Sequence, residues 1–174
     1  MKAIGHFKTI TKHRHAVIRH GFKAGIFFQS LFHDLSKYSL SEFQAGAKYY
    51  AGTKSPNEKE RELFGYSSAW LHHKGRNKHH FEYWVDYSPK DKCNIPIKMP
   101  IKYVKEMFCD RVAASKIYQK ENYTQHHPIE YFMRGKDHRF INQETSDLIE
   151  LWLTTLSLKG EEEAFKLIRS TSEY

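Results

Sequence analysis

Apolar residues recur along the chain mostly at three- and four-residue steps, the spacing that sets them on one side of an α-helix. Over residues 3–23, His6, Ile10, His13, Val17 and His20 fall on one face, so the predicted first helix carries histidines and apolar residues together. Gly21 and Gly25 predict a break. Ala24–Asp34, rich in Phe, Leu and Ile, then predicts a second helix that closes on the adjacent pair His33-Asp34. Ser39, with Glu42 three residues on, reads as a capping box that opens a third helix reaching about Tyr50. The polar loop Thr53–Asn57 precedes a long helix through Trp70 to about Arg76. Ser88–Pro100 holds three prolines and the only strand-like piece, around Ile95–Met99, and reads as a loop crossing between helices. Pro100 suits the start of the next helix, Ile101–Glu121. A short helix over Ile129–Arg134 and a long one capped by Asn142 and Thr145 follow, with a charged terminal helix or tail after Gly160. The pattern predicts an all-α fold and one domain over residues 1–174.

Polar residues that interrupt the apolar stripes are the informative positions. On the helix Ile101–Glu121, Asp110 shares a stripe with Tyr103, Met107, Ala114 and Ile117. A carboxylate on an apolar stripe needs a cation or a metal as partner. Adjacent helical side chains diverge by about 100°, so His33 and Asp34 reach one ion only if a helix end holds them at its edge. The stretch from Ala69 to Trp84 carries His72, His73, Arg76, Asn77, His79 and His80 among aromatic residues. As a continuous helix it would align His73, Asn77, His80 and Trp84, whereas a bend at Gly75 would regroup them. His126 and His127 read as surface residues or as the lining of a cleft.

Composition sharpens this picture in two ways. The chain has 174 residues, 12 of them histidine, and the histidines cluster at 13–20, 72–80 and 126–127. The net charge of +8, from 28 Lys+Arg against 20 Asp+Glu, favours anionic partners such as phosphorylated metabolites, nucleotides or nucleic acid. Two cysteines make neither a disulfide framework nor a thiolate zinc site. With no apolar leader and no run of membrane-spanning length, a cytoplasmic protein is expected.

The order His13, His33-Asp34, His72/His73 with His79/His80, then Asp110 resembles the HD-domain superfamily of metal-dependent phosphohydrolases. The resemblance narrows to small HD-like proteins of bacteria and phages. It rests on His33-Asp34-Leu35-Ser36-Lys37, on His72-His73 through Trp84, and on Met99-Pro100 through Asp110. Only 20 residues separate His13 from His33, fewer than is usual in the superfamily, which keeps His6 and His20 in contention as the first-helix ligand. The resemblance implies an HD-like helical bundle with a central metal site. His13, His33, Asp34 and Asp110 would hold a divalent ion, and His73 and His80 would complete a second site or act as the proton donor.

The metal expected is Mn, Fe, Co, Ni or Zn, as one or two ions. The expected reaction is hydrolysis of a phosphoester, with a nucleotide as one candidate substrate. Lys37 and Arg76 would neutralise phosphate, Asn77 would orient phosphate or a ligating histidine, and Tyr83 and Trp84 would stack on a base. Three other readings compete. One is a non-catalytic protein that binds metal or nucleotide on the same scaffold. Another is a nuclease of the His-Asn-His type, through His73, Asn77 and His80, and the third a helical nucleic-acid binder.

Overall fold

The structure is a computed structural model that describes residues 2–174. Its helices are α1 (Lys2–Ala24), α2 (Phe27–Ser30), α3 (Leu40–Tyr49), α4 (Pro56–Phe64), α5 (Ser68–Lys74), α6 (Ile101–Gln119), α7 (His127–Met133) and α8 (Gln143–Ser170). A single antiparallel hairpin, β1 (Val85–Ser88) with β2 (Cys93–Pro96), pairs Val85 with Pro96 and Ser88 with Cys93. The fold is therefore mostly helical. No helix among the described residues is long and apolar enough to cross a membrane.

The core forms where α6 meets α8. Val104, Phe108 and Val112 recur at four-residue steps and are fully buried, facing Trp152, Leu156 and Phe165. The Phe108 ring meets both Trp152 and Phe165 edge-on, at 6.3 and 5.6 Å between centroids, a favoured aromatic geometry. Another face of α6 packs along α1, which leaves Asp110 near His13 on the neighbouring helix. Gly160 turns α8 with φ +88°, a backbone state that suits glycine. The helix continues to Ser170, so the expected terminal segment is helical. Asn142 caps α8 as expected, its Oδ1 accepting from the Thr145 amide.

Several expected elements are shorter than their apolar patterns suggest. The second helix spans only Phe27–Ser30, and His33-Asp34 sits in the turn beyond it, with Asp34 at φ 54°. A short 3-10 turn, Leu35–Tyr38, then leads to α3. The long helix expected up to Arg76 is two helices, because Gly65 adopts φ 78° and ends α4. After Lys74 the chain turns instead of continuing, and this regroups the two histidine pairs. The segment expected to be a plain crossing loop forms part of the hairpin.

The expected capping box at Ser39 does not form. Ser39 holds the N-cap position of α3 without a side-chain cap, and its hydroxyl lies 3.1 Å from Ser41 Oγ. Glu42 turns to histidines instead, accepting from His72 Nδ1 at 2.6 Å and His73 Nδ1 at 2.8 Å. Two imidazoles about 30 residues on in sequence, His73 buried and His72 partly so, outcompete the local amide.

Candidate metal centre

His13 reaches the centre from the middle of α1, His33 and Asp34 from the turn after α2, and Asp110 from α6. His73 comes from the end of α5, and His79 and His80 from the turn that follows. These side chains form two groups that share Asp34. His13, His33, Asp34 and Asp110 make one group, and Asp34, His73, His79 and His80 the other, with ligand atoms within 4.8 Å of one another in each.

In the first group, His13 Nε2 lies 2.9 Å from Asp110 Oδ1, 3.3 Å from His33 Nε2 and 3.6 Å from Asp34 Oδ2. His33 Nε2 lies 3.2 Å from Asp34 Oδ2 and 3.5 Å from Asp110 Oδ1. In the second, Asp34 Oδ1 lies 3.2 Å from His73 Nε2 and 3.5 Å from His79 Nε2. Ligands about 2.1 Å from an ion stand roughly 3.0 Å apart at right angles and roughly 3.4 Å apart in a tetrahedron. The measured separations cluster at those edge lengths.

Burial makes the point more sharply. Asp34 is 2% exposed, and both its oxygens and the Nε2 atoms of His73, His79 and His80 are buried without a hydrogen-bond partner. Buried polar atoms left unsatisfied together, all facing one another, need a shared partner. Lys37 Nζ, 2.5 Å from Asp34 Oδ2, offsets one charge but leaves the imidazole nitrogens unmatched. The donor set, imidazole nitrogen with carboxylate oxygen, is one that can hold a divalent transition metal.

A further layer of carboxylates orients the imidazoles. The Nδ1–H groups of His33 and His79 donate to Glu106 Oε1 at 2.8 and 3.2 Å, and that of His73 donates to Glu42 Oε2 at 2.8 Å. A carboxylate on Nδ1 fixes the tautomer and turns the Nε2 lone pair toward the ion. Glu106 also meets His33 and His79 as a third cluster of ligand-type atoms, but those contacts use the Nδ1 atoms. We therefore assign Glu106 to orientation. Gln29 Nε2 holds its other oxygen at 2.5 Å.

The charges are strongly coupled. Burial alone would lower the pKa of His33, but Asp34, Asp110 and Glu106 outweigh it and raise it well above the ordinary value. Burial would raise Asp34 and Asp110, yet the surrounding imidazoles, with Lys37 for Asp34, hold both well below the carboxylate range. Glu106 is brought down to about 2, its burial outweighed by His33 and His79. Burial and the neighbouring His79 and His73 hold His80 well below its ordinary value, so it is neutral.

The three first-helix candidates separate cleanly. His13 faces the centre, whereas His6 packs against Phe43 and Tyr50. His20 lies beside Cys109 O and Lys116 Nζ, each 3.3 Å away. Asn77 bonds Ser36 Oγ and His73 O, both at 2.8 Å, and so braces a ligating histidine. The sequence left open which of His79 and His80 faces the site; both do, because the turn after Lys74 lets neighbours converge where a helix would splay them.

A cavity of about 690 Å³ opens on His13, His73, His80, Asp110 and Lys37. Arg76, just past the end of α5, is exposed; its Nη1 donates to His72 O at 3.4 Å, and it is not part of the cavity wall. Trp84 and Tyr83 are also outside that wall. Trp84 packs on Tyr103 and donates to Lys78 O, while Trp70, Phe81, Tyr118 and Tyr131 supply the cavity's aromatic surface. His127 lines the cavity and His126 is exposed. The histidines expected to suit a His-Asn-His site all precede the hairpin.

No curated protein and no solved structure matches the chain. One family does, over residues 2–155, and it is described as a family of unknown function, DUF5662. That match spans α1 through much of α8 and includes every residue of the centre described above, so the chain belongs to the DUF5662 family.

Proposed function

We propose that this chain is a divalent-metal-dependent phosphohydrolase laid out like an HD-domain protein, whose two ligand groups, both including Asp34, would hold one ion each. The carrying observation is a set of buried atoms that face one another and make no hydrogen bond: both oxygens of Asp34, one of them ion-paired to Lys37, and the Nε2 of His73, His79 and His80. His13, His33 and Asp110 would complete one site with Asp34, and His73, His79 and His80 the other. The chain order of these ligands supports the HD-like reading, and the basic cavity beside them supports an anionic substrate.

Held by these residues, divalent ions would supply a Lewis acid for a phosphoryl oxygen and for a water made acidic enough to attack near neutral pH. The protein's own groups divide the remaining work. Glu106 and Glu42 keep the protons of His33, His79 and His73 on Nδ1. His80, held neutral, acts as a ligand and not as the proton donor to the leaving oxygen. Lys37 stays charged, since Asp34 and Asp110 raise its pKa against the effect of burial, and its ammonium neutralises phosphate at the cavity floor. The half-buried walls restrict water around the bound phosphoester.

Metal content of the purified chain, by plasma mass spectrometry, tests the reading beside Asp34→Asn. Transition metal near two ions per chain, lost in the variant, is the expected result, followed by metal-dependent turnover of a phosphoester in a substrate panel. A wild type that binds no metal after reloading with Mn, Fe, Co, Ni or Zn overturns it. Two ions with no turnover of any phosphoester would leave a metal-binding scaffold.

A further inference from the structure

Beyond the ligand groups, the same cavity is lined by Arg111 and Arg139, with Arg61 and Arg134 at its exposed rim. None of the four enters an ion pair within 4.0 Å among the described residues. Arg111 and Arg139 are the unusual ones. Their guanidinium carbons lie 5.5 and 4.7 Å from the centroid of one ring, that of the fully buried Phe132. Arg139 is fixed there by donating to the carbonyls of Phe132 and Tyr131, the latter at 3.2 Å. Arg111 follows Asp110 on α6, and its Nε is buried with no hydrogen-bond partner.

Two guanidiniums sharing one aromatic platform repel each other, and removing them from water adds to the cost. Arginine cannot relieve this by losing its proton. The carboxylates that compete for their charge are Asp110, next to Arg111 in the chain, and Glu82 on the same wall, whose Oε2 is buried without a hydrogen-bond partner. Neither is within ion-pair distance of Arg111. A wall with two half-buried guanidiniums that lack a carboxylate partner, one with its Nε buried and unbonded, is matched by a dianion that accepts from both, and phosphate has that charge and geometry.

We infer that Arg111 and Arg139 form a second phosphate subsite in the cavity, so that the substrate is an organic phosphate carrying two phosphoryl groups, one at the metal centre and one on this wall. The inference rests on the phosphohydrolase reading for the first group and on the arginines alone for the second. A cavity of about 690 Å³ has room for such a molecule with an organic body between its ends.

The test separates the two. Calorimetric titration with inorganic pyrophosphate, on the full chain stripped of metal by chelator, reads the arginine wall without the metal centre. Saturable binding is expected, weakened tenfold or more in Arg111→Gln, less in Arg111→Lys, and unchanged in Arg19→Gln, an exposed arginine outside the cavity. Should Arg111→Gln fail to fold, Arg111→Lys and Arg139→Lys carry the comparison, because both keep the charge and lose the fork. Equal affinity in wild type and the Arg111 variants overturns the subsite and leaves the guanidiniums to Asp110 and Glu82. An equal loss in Arg19→Gln also overturns it, since attraction would then be diffuse. After metal reloading, adenosine 3′,5′-bisphosphate is expected to bind at least tenfold tighter than adenosine 5′-monophosphate, and equal binding overturns the substrate class. Arg111-dependent pyrophosphate binding in a chain that takes up no metal would retain the subsite while the hydrolase reading fell.

Discussion

Asp34 joins two demands at one residue. Its carboxylate faces both ligand groups, and its backbone occupies the left-handed region at φ 54°, where aspartate and asparagine are tolerated better than most residues. Asp34→Asn therefore keeps the turn and removes the charge; it should abolish metal binding and lower the thermal stability of the metal-free protein at neutral pH, because Lys37, His33 and His73 lose their buried counter-charge. Asp34→Ala should lose the metal too and cost about 1–2 kcal/mol more in a denaturant titration, because a Cβ without a polar group is strained there. Glu106→Gln should bind the same number of ions about 10–100-fold more weakly, since it orients imidazoles without being a ligand. Residue identity was legible at His13, His33, Asp34, His73, His80 and Asp110, all of which converge. His79, Glu42 and Glu106 were harder to read. A helical phase separates His79 from His80, and a capping pattern disguises Glu42. Glu106 looks like an ordinary charged helix residue until His33 and His79 are seen to meet it.

At the scale of elements, the metal centre depends on how closely α2 and its following turn approach α1. A Cβ on Gly21 would lie 2.5 Å from both Cβ and Oγ of Ser30, the last residue of α2 and itself fully buried. Ser30 leads into the turn that presents His33 and Asp34. Gly21→Ala should thus cost about 1–3 kcal/mol by overpacking. It should also weaken metal affinity through displacement of the turn, and chemical denaturation with metal titration of the same variant checks both effects. Helix existence was largely legible because the three- and four-residue steps are real. Helix ends were legible only where a cap or proline marks them, as at Asn142 and Pro100. The apolar run of Ala24–Asp34 suggested a longer helix, but Gly25 at φ 80° and the left-handed Asp34 confine it to four residues. The two metal-facing pieces of the chain after α2 and α5 are turns. Turns carry no periodicity, so their histidines could be identified but not grouped.

For the molecule as a whole, two histidines outside the centre tie stability to acidity. Burial, with Lys37 for His6 and Lys116 for His20, lowers both to about 4. In the unfolded chain they titrate near 6.5. Above that pH neither state binds the proton, and between 6.5 and 4 the unfolded state takes protons that the folded state refuses. Stability from these groups therefore falls as pH falls through that window, by at most about 1.4 kcal/mol per pH unit for each. Denaturant titrations of metal-free wild type and His20→Gln should show a shallower fall in the variant. Within the centre, His33 and His73 carry the opposite sign, while His80 shares that of His6 and His20. Four carboxylates, Asp34, Glu42, Glu106 and Asp110, converge there on five imidazoles and Lys37. Outweighing the effect of burial, they raise His33 and His73 and so store protons in the metal-free protein at neutral pH. An arriving cation must evict those protons, so the chain would acidify its surroundings as it loads. Calorimetry in buffers of different ionisation enthalpy should count about two protons released on filling, which makes loading progressively harder in acid.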